Sequence, residues 1–273
     1  MTDKELLNEK LNSKITMPIS DVLSDSFDLF GKGAGKYIGF TLLIFFVLLI
    51  VGGVAMAVPV IGVVLILLLA LVAAPALQVG IGRFTKNLKE DRNPQFSDFF
   101  SGFQHNFSQL VLQGVVISLI STAIAFGLNT DLYLSYYDLA MSYDGDYEEL
   151  FIQIGEINEL YNQTTVLSFL GTLFSYYIAL GLSLTPYIVS FYKVSAFTAM
   201  DVSFRAINKV IFNAVAIQFV LGVIAVMGAI ALLIGLFATL PIALIGGYLM
   251  FRYAIGEKDS IESDEFKINE HLQ

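Results

Sequence analysis

YIGFTLLIFFVLLIVGGVAMAVPVIGVVLILLLALVAAPALQVGIG, residues 37–82, contains no charged side chain. A helix of that length would reach roughly 69 Å at about 1.5 Å per residue, more than twice a hydrocarbon core of about 30 Å. The run must therefore fold back on itself. Gly52, Gly53 and Pro59 are the residues in it best able to open a helix into a tight hairpin, so spans are expected at about 37–56 and 60–82.

Upstream, residues 1–36 are polar and amphipathic and lack the basic stretch, short apolar run and cleavage site of a signal peptide; a retained cytoplasmic segment is expected. Downstream, GRFTKNLKEDRNPQFSDFFSGFQHNF carries Arg83, Lys86, Lys89 and Arg92, then Phe96, Phe99, Phe100, Phe103 and Phe107. Phenylalanines at intervals of three and four share one helical face. Such a helix lies either on the membrane surface, with its rings as interfacial lipid contacts, or folded against the spans.

Further spans are expected at about 109–128, 165–191, 210–232 and 236–254, the last two from an uncharged run split near Gly235. Between the third and fourth lies an acidic loop, residues 129–164, rich in tyrosine and without lysine or arginine; one or two short helices are expected in it. The tail, 255–273, is acidic and is expected to be mobile. The fold class is thus all-α: a polytopic membrane protein of six transmembrane helices with amphipathic interfacial helices.

Six spans put both termini on one side, and the positive-inside rule tests that placement. Lys4, Lys10, Lys14, Lys32 and Lys36, the 83–92 cluster, Lys193, Arg205 and Lys209, and Arg252, Lys258 and Lys267 all fall on one face. The 129–164 loop falls on the other. The expectation is N-in and C-in, with that loop outside.

Composition agrees and excludes much. With 56% hydrophobic and 14% charged residues the chain is wrong for a soluble globule. Absence of cysteine removes disulfides, thiolate metal sites and cysteine nucleophiles. His105 and His271 are too few for a histidine-rich metal centre. No metal, cofactor or nucleic-acid partner is expected.

An amphipathic helix leading into an uncharged hairpin occurs at SDSFDLFGKGAGKYIGF and again at MDVSFRAINKVIFNAVAIQF, matching Ser26-Phe27 to Ser203-Phe204 and, roughly, Pro59 to Pro241. SDFFSGFQHNFSQL has a similar surface-helix character. QFSDFFSGFQ after a basic loop, AMDVSFRAINK, then Gly228, Gly235 and Pro241 in a hairpin together resemble a group of poorly characterised bacterial six-helix membrane proteins. That group is similar to the membrane domain fused to some glycerophosphodiester phosphodiesterases. The resemblance covers most of the chain and implies the fold and a bacterial inner-membrane location. It implies no catalytic residue, because the fused phosphodiesterase is a separate soluble barrel.

Within the expected spans the one charged residue is Arg252, at the end of the last, which disfavours an ion-coupled pump. Gln113 and Gln218 read as interhelical hydrogen-bonding groups. Gly114, Ser118 and Thr122 on the third span, and Gly171, Ser175, Ala179 and Ser183 on the fourth, recur every four residues and form candidate close-packing or oligomer faces. Thr185 and Pro186 are expected to kink the fourth span. Asp144, Asp146, Glu148 and Glu149 lack the full EF-hand spacing and read as a solvated surface. No GxSxG or Ser/His/Asp grouping is present, so catalytic residues are expected to be none. Three functions remain: a non-enzymatic protein with membrane lipids as partners, a transporter or channel for a small neutral or amphipathic solute using Gln113, Ser118, Ser175, Thr185 and Gln218, and a subunit or assembly factor of an envelope complex with a protein partner or a second copy.

Overall fold

A computed structural model of the chain describes residues 2–128, 130–143, 145–161, 166–230 and 235–256. The regular structure among these residues is helical, without strands, and includes six helices long and apolar enough to cross a membrane: Ile19–Ala57, Val60–Lys89, Phe107–Gly127, Phe169–Tyr192, Ile211–Ile230 and Leu236–Ala254. The residues expected in the tail beyond 256, His271 among them, and Asp144 of the acidic loop lie outside the described set.

α1 (Asp3–Asn12) starts with a capping box: the Thr2 side chain accepts from the Glu5 backbone N–H, and the Glu5 carboxylate accepts from the Thr2 N–H. α2 (Ile19–Ala57) runs unbroken from the amphipathic segment through the first span. No proline or cap interrupts residues 19–36, so the helix continues, and Gly33 (φ −119°, ψ 15°) only kinks it. Val58 makes the turn into α3 (Pro59–Leu68). Here Gly62 lies against Ala55 so closely that a Cβ at Gly62 would stand 2.2 Å from the Ala55 Cα. A π-helical turn (Leu69–Ala73) joins α3 to α4 (Ala74–Lys89).

The phenylalanine segment is a 3-10 helix (Phe96–Phe103), not the α-helix its spacing suggests. With three residues per turn, Phe96, Phe99 and Gly102 fall in line. α5 (Phe107–Leu128) follows, then α6 (Thr130–Ser142) and α7 (Tyr147–Tyr161), the two helices of the acidic loop. The fourth span is broken: α8 (Val166–Gly181) and α9 (Thr185–Tyr192) meet at a turn just before Pro186. α10 (Ala196–Lys209), α11 (Ile211–Ile230) and α12 (Leu236–Ala254) complete the described chain, with Gly235 capping α12. Pro59 opens α3 whereas Pro241 lies inside α12, so the two prolines hold different helical positions.

The chain divides into two compact units, residues 1–115 with 180–273 and residues 116–179. In the first, α4, α9 and α12 contact one another and each carries a further helix: α2 packs on α12, the 3-10 helix on α4, and α10 on α9. The latter two each pack on the helix that precedes them, and α2 closes the cycle on the last span. One of these contacts, that of the 3-10 helix with α4, has two tight centres. A Cβ at Gly80 would sit 1.8 Å from the Phe99 carbonyl oxygen, and one at Gly102 would sit 1.9 Å from that of Ala76. In the third contact, Ser203 is fully buried; its hydroxyl donates to the Gly181 carbonyl (2.6 Å) and accepts from the Leu184 N–H (3.2 Å), tying α10 to the broken span. In the second unit α6 and α7 pair, the Tyr136 hydroxyl donating to Asn158 Oδ1 at 2.7 Å.

Candidate functional site

The cations of the first unit gather at one end of it. α4, α9 and α12 all finish there, and their last two turns hold the fully buried rings Phe84, Phe191, Tyr192 and Phe251. Arg83 lies over the Phe191 ring at 4.8 Å and donates to the Ser190 carbonyl and hydroxyl, both at 3.2 Å. Lys86, nearly buried, lies 5.6 Å from the same ring, and Lys10 of α1 lies 5.5 Å from that of Tyr192. Lys89 pairs with Asp25, and Lys209 donates to the Leu11 carbonyl. Cation and ring contacts of this kind hold basic side chains against an apolar core that desolvates them.

The five phenylalanines expected at the lipid surface divide by position. Phe99 is fully buried, stacked on Phe84 (4.1 Å) and Phe40 (4.4 Å), because the 3-10 repeat points it at α4. It is therefore a core residue and not a lipid contact. Phe100 and Phe107 are half-buried, and Phe96 and Phe103 are exposed. α2 and α10 also expose a ring, Phe27 (47%) and Phe197 (62%). Sequence periodicity alone does not separate Phe99 from its neighbours; the glycine spacing Gly80 and Gly102 was the available signal.

Gly114 is buried beneath the Leu71 carbonyl of the π-helical turn, 2.6 Å from a Cβ placed there. Gly171 is also buried, Ser118, Ser175 and Ser183 are half-buried, and Thr122 and Ala179 are exposed. Ser183 spends its hydroxyl on the Leu180 carbonyl of the helix break (2.7 Å). Gln113 and Thr185 are buried, and Gln113 Oε1 and Thr185 Oγ1 have no hydrogen-bond partner among the described residues. Gln218 Nε2 lies 3.7 Å from Met250 Sδ.

Two grooves open between α2 and the helices it returns against. One, about 540 Å³, lies at the cationic end and is lined by Lys32, Gly33, Lys36, Phe84, Asp91 and Asn93 among others. The second, about 520 Å³, is almost wholly apolar, framed by Ile44, Val47, Leu48 and Val51 on one side and Leu69, Ala73 and Leu77 on the other. Neither is lined by Gln113, Ser118, Ser175, Thr185 or Gln218.

Elsewhere the polar groups serve structure. Asp146 Oδ1 accepts from the Glu148 and Glu149 N–H groups at 2.9 and 3.2 Å, capping α7. His105 Nδ1 is 2.8 Å from the Ser101 carbonyl. Among the described residues no group of three or more histidine and carboxylate side chains is placed to hold a metal ion.

Length and composition of the six helices thus define a multi-pass membrane protein. No protein-family model, curated protein or solved structure matches the chain.

Proposed function

We propose that the protein is a non-enzymatic component of a bacterial inner membrane that associates with lipid through its cationic end, with that end cytoplasmic and the α6–α7 hairpin outside. The observation that carries this reading is an exposed ring on each of three helices of the first unit, Phe27, Phe103 and Phe197, with Lys32 and Lys36 on the helix of Phe27 and Arg205 and Lys209 on that of Phe197. Rings of this kind bury themselves near the acyl boundary while cations meet anionic headgroups. The 3-10 helix and α10 act as interfacial elements in this reading, and Phe96 shares the exposure. Lipid organisation rather than solute passage is favoured because the two grooves open between α2 and its return helices and involve none of the polar residues of the spans.

The chain has no tryptophan, so single-tryptophan variants report cleanly. Phe27→Trp, Phe103→Trp and Phe197→Trp in vesicles should each be quenched by lipids brominated near the headgroup boundary. Phe191→Trp, at a buried site, is the reference and should be quenched weakly. Equal quenching of all four, or none at the exposed positions, sinks the reading.

A further inference from the structure

We propose that the 540 Å³ groove at the α2 kink holds the phosphate of a membrane phospholipid, with Lys32 and Lys36 as its cationic ligands. This deepens the lipid-associated reading and rests on it. Lys36 is aimed by a hydrogen bond from its Nζ to the Pro94 carbonyl (2.5 Å), leaving two further N–H donors on the ammonium. Lys32 makes no hydrogen bond or ion pair among the described residues and lines the same groove. The opposite wall is a loop held in shape by two left-handed residues, Asp91 (φ 53°) and Asn93 (φ 47°), a conformation that aspartate and asparagine tolerate better than most side chains. With two lysines and one aspartate the groove carries a net single positive charge, suited to a phosphodiester.

Depth decides between a lipid phosphate and a free one. Gly33 at the groove and Leu48 in the apolar groove are separated by about 22 Å along α2, at about 1.5 Å per residue. A bilayer of roughly 40–45 Å including headgroups places its phosphates about 20–22 Å from its centre. Leu48 lies near the middle of the uncharged part of α2, so Lys32 and Lys36 stand at headgroup depth.

The test is native mass spectrometry of the full chain released from nanodiscs of equimolar phosphatidylglycerol and phosphatidylcholine. The wild-type protein should retain one phosphatidylglycerol per chain in preference to phosphatidylcholine. A cation near a membrane surface contributes about fivefold to such binding, so Lys32→Gln should weaken retention about fivefold and Lys32→Gln/Lys36→Gln about 30-fold. Because Lys32 has no partner to lose among the described residues, the single variant keeps the fold. Asp91→Asn, which fits the same left-handed backbone, should strengthen retention about fivefold. Lys4→Gln/Lys193→Gln removes equal charge from the same end and should change nothing. Preferential retention that persists in the double variant, or falls equally in the Lys4 and Lys193 control, overturns the site and leaves the lipid reading standing. A wild-type protein that retains no lipid overturns both. Displacement of the bound lipid by inorganic phosphate would assign the groove to a soluble anion and overturn the lipid assignment.

Discussion

Ser26 and Ser203 are both fully buried, and both begin a Ser-Phe pair, yet they do different work. The Ser26 hydroxyl donates to the Val22 carbonyl of its own helix, a local bond that leaves no group unpaired if it is lost. Ser203 satisfies a carbonyl and an N–H at the break in the fourth span, which have no helical partner there. Ser203→Ala should therefore cost about 1–3 kcal/mol and Ser26→Ala less than about 1 kcal/mol, measured by reversible unfolding in mixed micelles. By the same method Phe99→Ala should cost about 3–5 kcal/mol, and Phe103→Ala, exposed on the next turn, well under half of that. At the amino terminus, contacts with Thr2 hold the Glu5 carboxyl below its ordinary range. Its contribution is complete above the unfolded value and is lost as pH falls through the lowered one. Amide-exchange protection in the first turn of α1 should decline over that acid window, and Glu5→Gln should flatten the response.

At the level of elements, the 3-10 helix shows where sequence reading reaches its limit. Phenylalanines at intervals of three and four describe an α-helical face, and the four within residues 96–103 do not distinguish a 3.0 from a 3.6 repeat over eight residues. What decides the matter is two glycines on different segments, Gly80 and Gly102, which bring backbones into contact. Gly80→Ala should displace the 3-10 helix from α4, and limited proteolysis between 93 and 106 should accelerate while the rest of the chain resists. The six long apolar helices were legible because hydropathy and length alone specify them. A kink at Thr185 and Pro186 was legible as well, but the span is interrupted outright at residues 182–184, and Pro186 opens α9 in its first turn, where its missing N–H has no helical partner to lose. The continuation of α2 back to Ile19 was not legible, because an amphipathic and an apolar stretch can share one helix without any local mark at the join. The candidate groove was hidden for a different reason: its lysines lie on α2 and its opposite wall on a loop some 55 to 60 residues later in the chain.

For the whole molecule, the arrangement of the first unit explains why three amphipathic segments look alike in sequence without being close copies. Each occupies the same kind of place, on the outside of one of three mutually packed spans, although one is a 3-10 helix and two are α-helical. Similar surroundings select similar patterns of aromatic and small residues. The orientation proposed above is directly testable because the chain has no cysteine. In intact cells, a cysteine placed at Gly155 of α7 should react with a membrane-impermeant maleimide, and one placed at Lys4 should react after lysis alone. The reverse pattern would invert the topology.

The convergence of α4, α9 and α12 at one end has an electrostatic consequence. Each helix directs the negative end of its macrodipole, equivalent to about half an elementary charge, toward that end. Three such ends side by side create a standing demand for cations, met by Lys86 and Lys89 on α4 and Arg252 on α12. In the proposed orientation, the residues that would bias insertion therefore also serve as counter-ions of the folded bundle. Reversing the charge bias to flip the topology would remove stabilisation from the fold itself, so the two properties cannot be tuned apart.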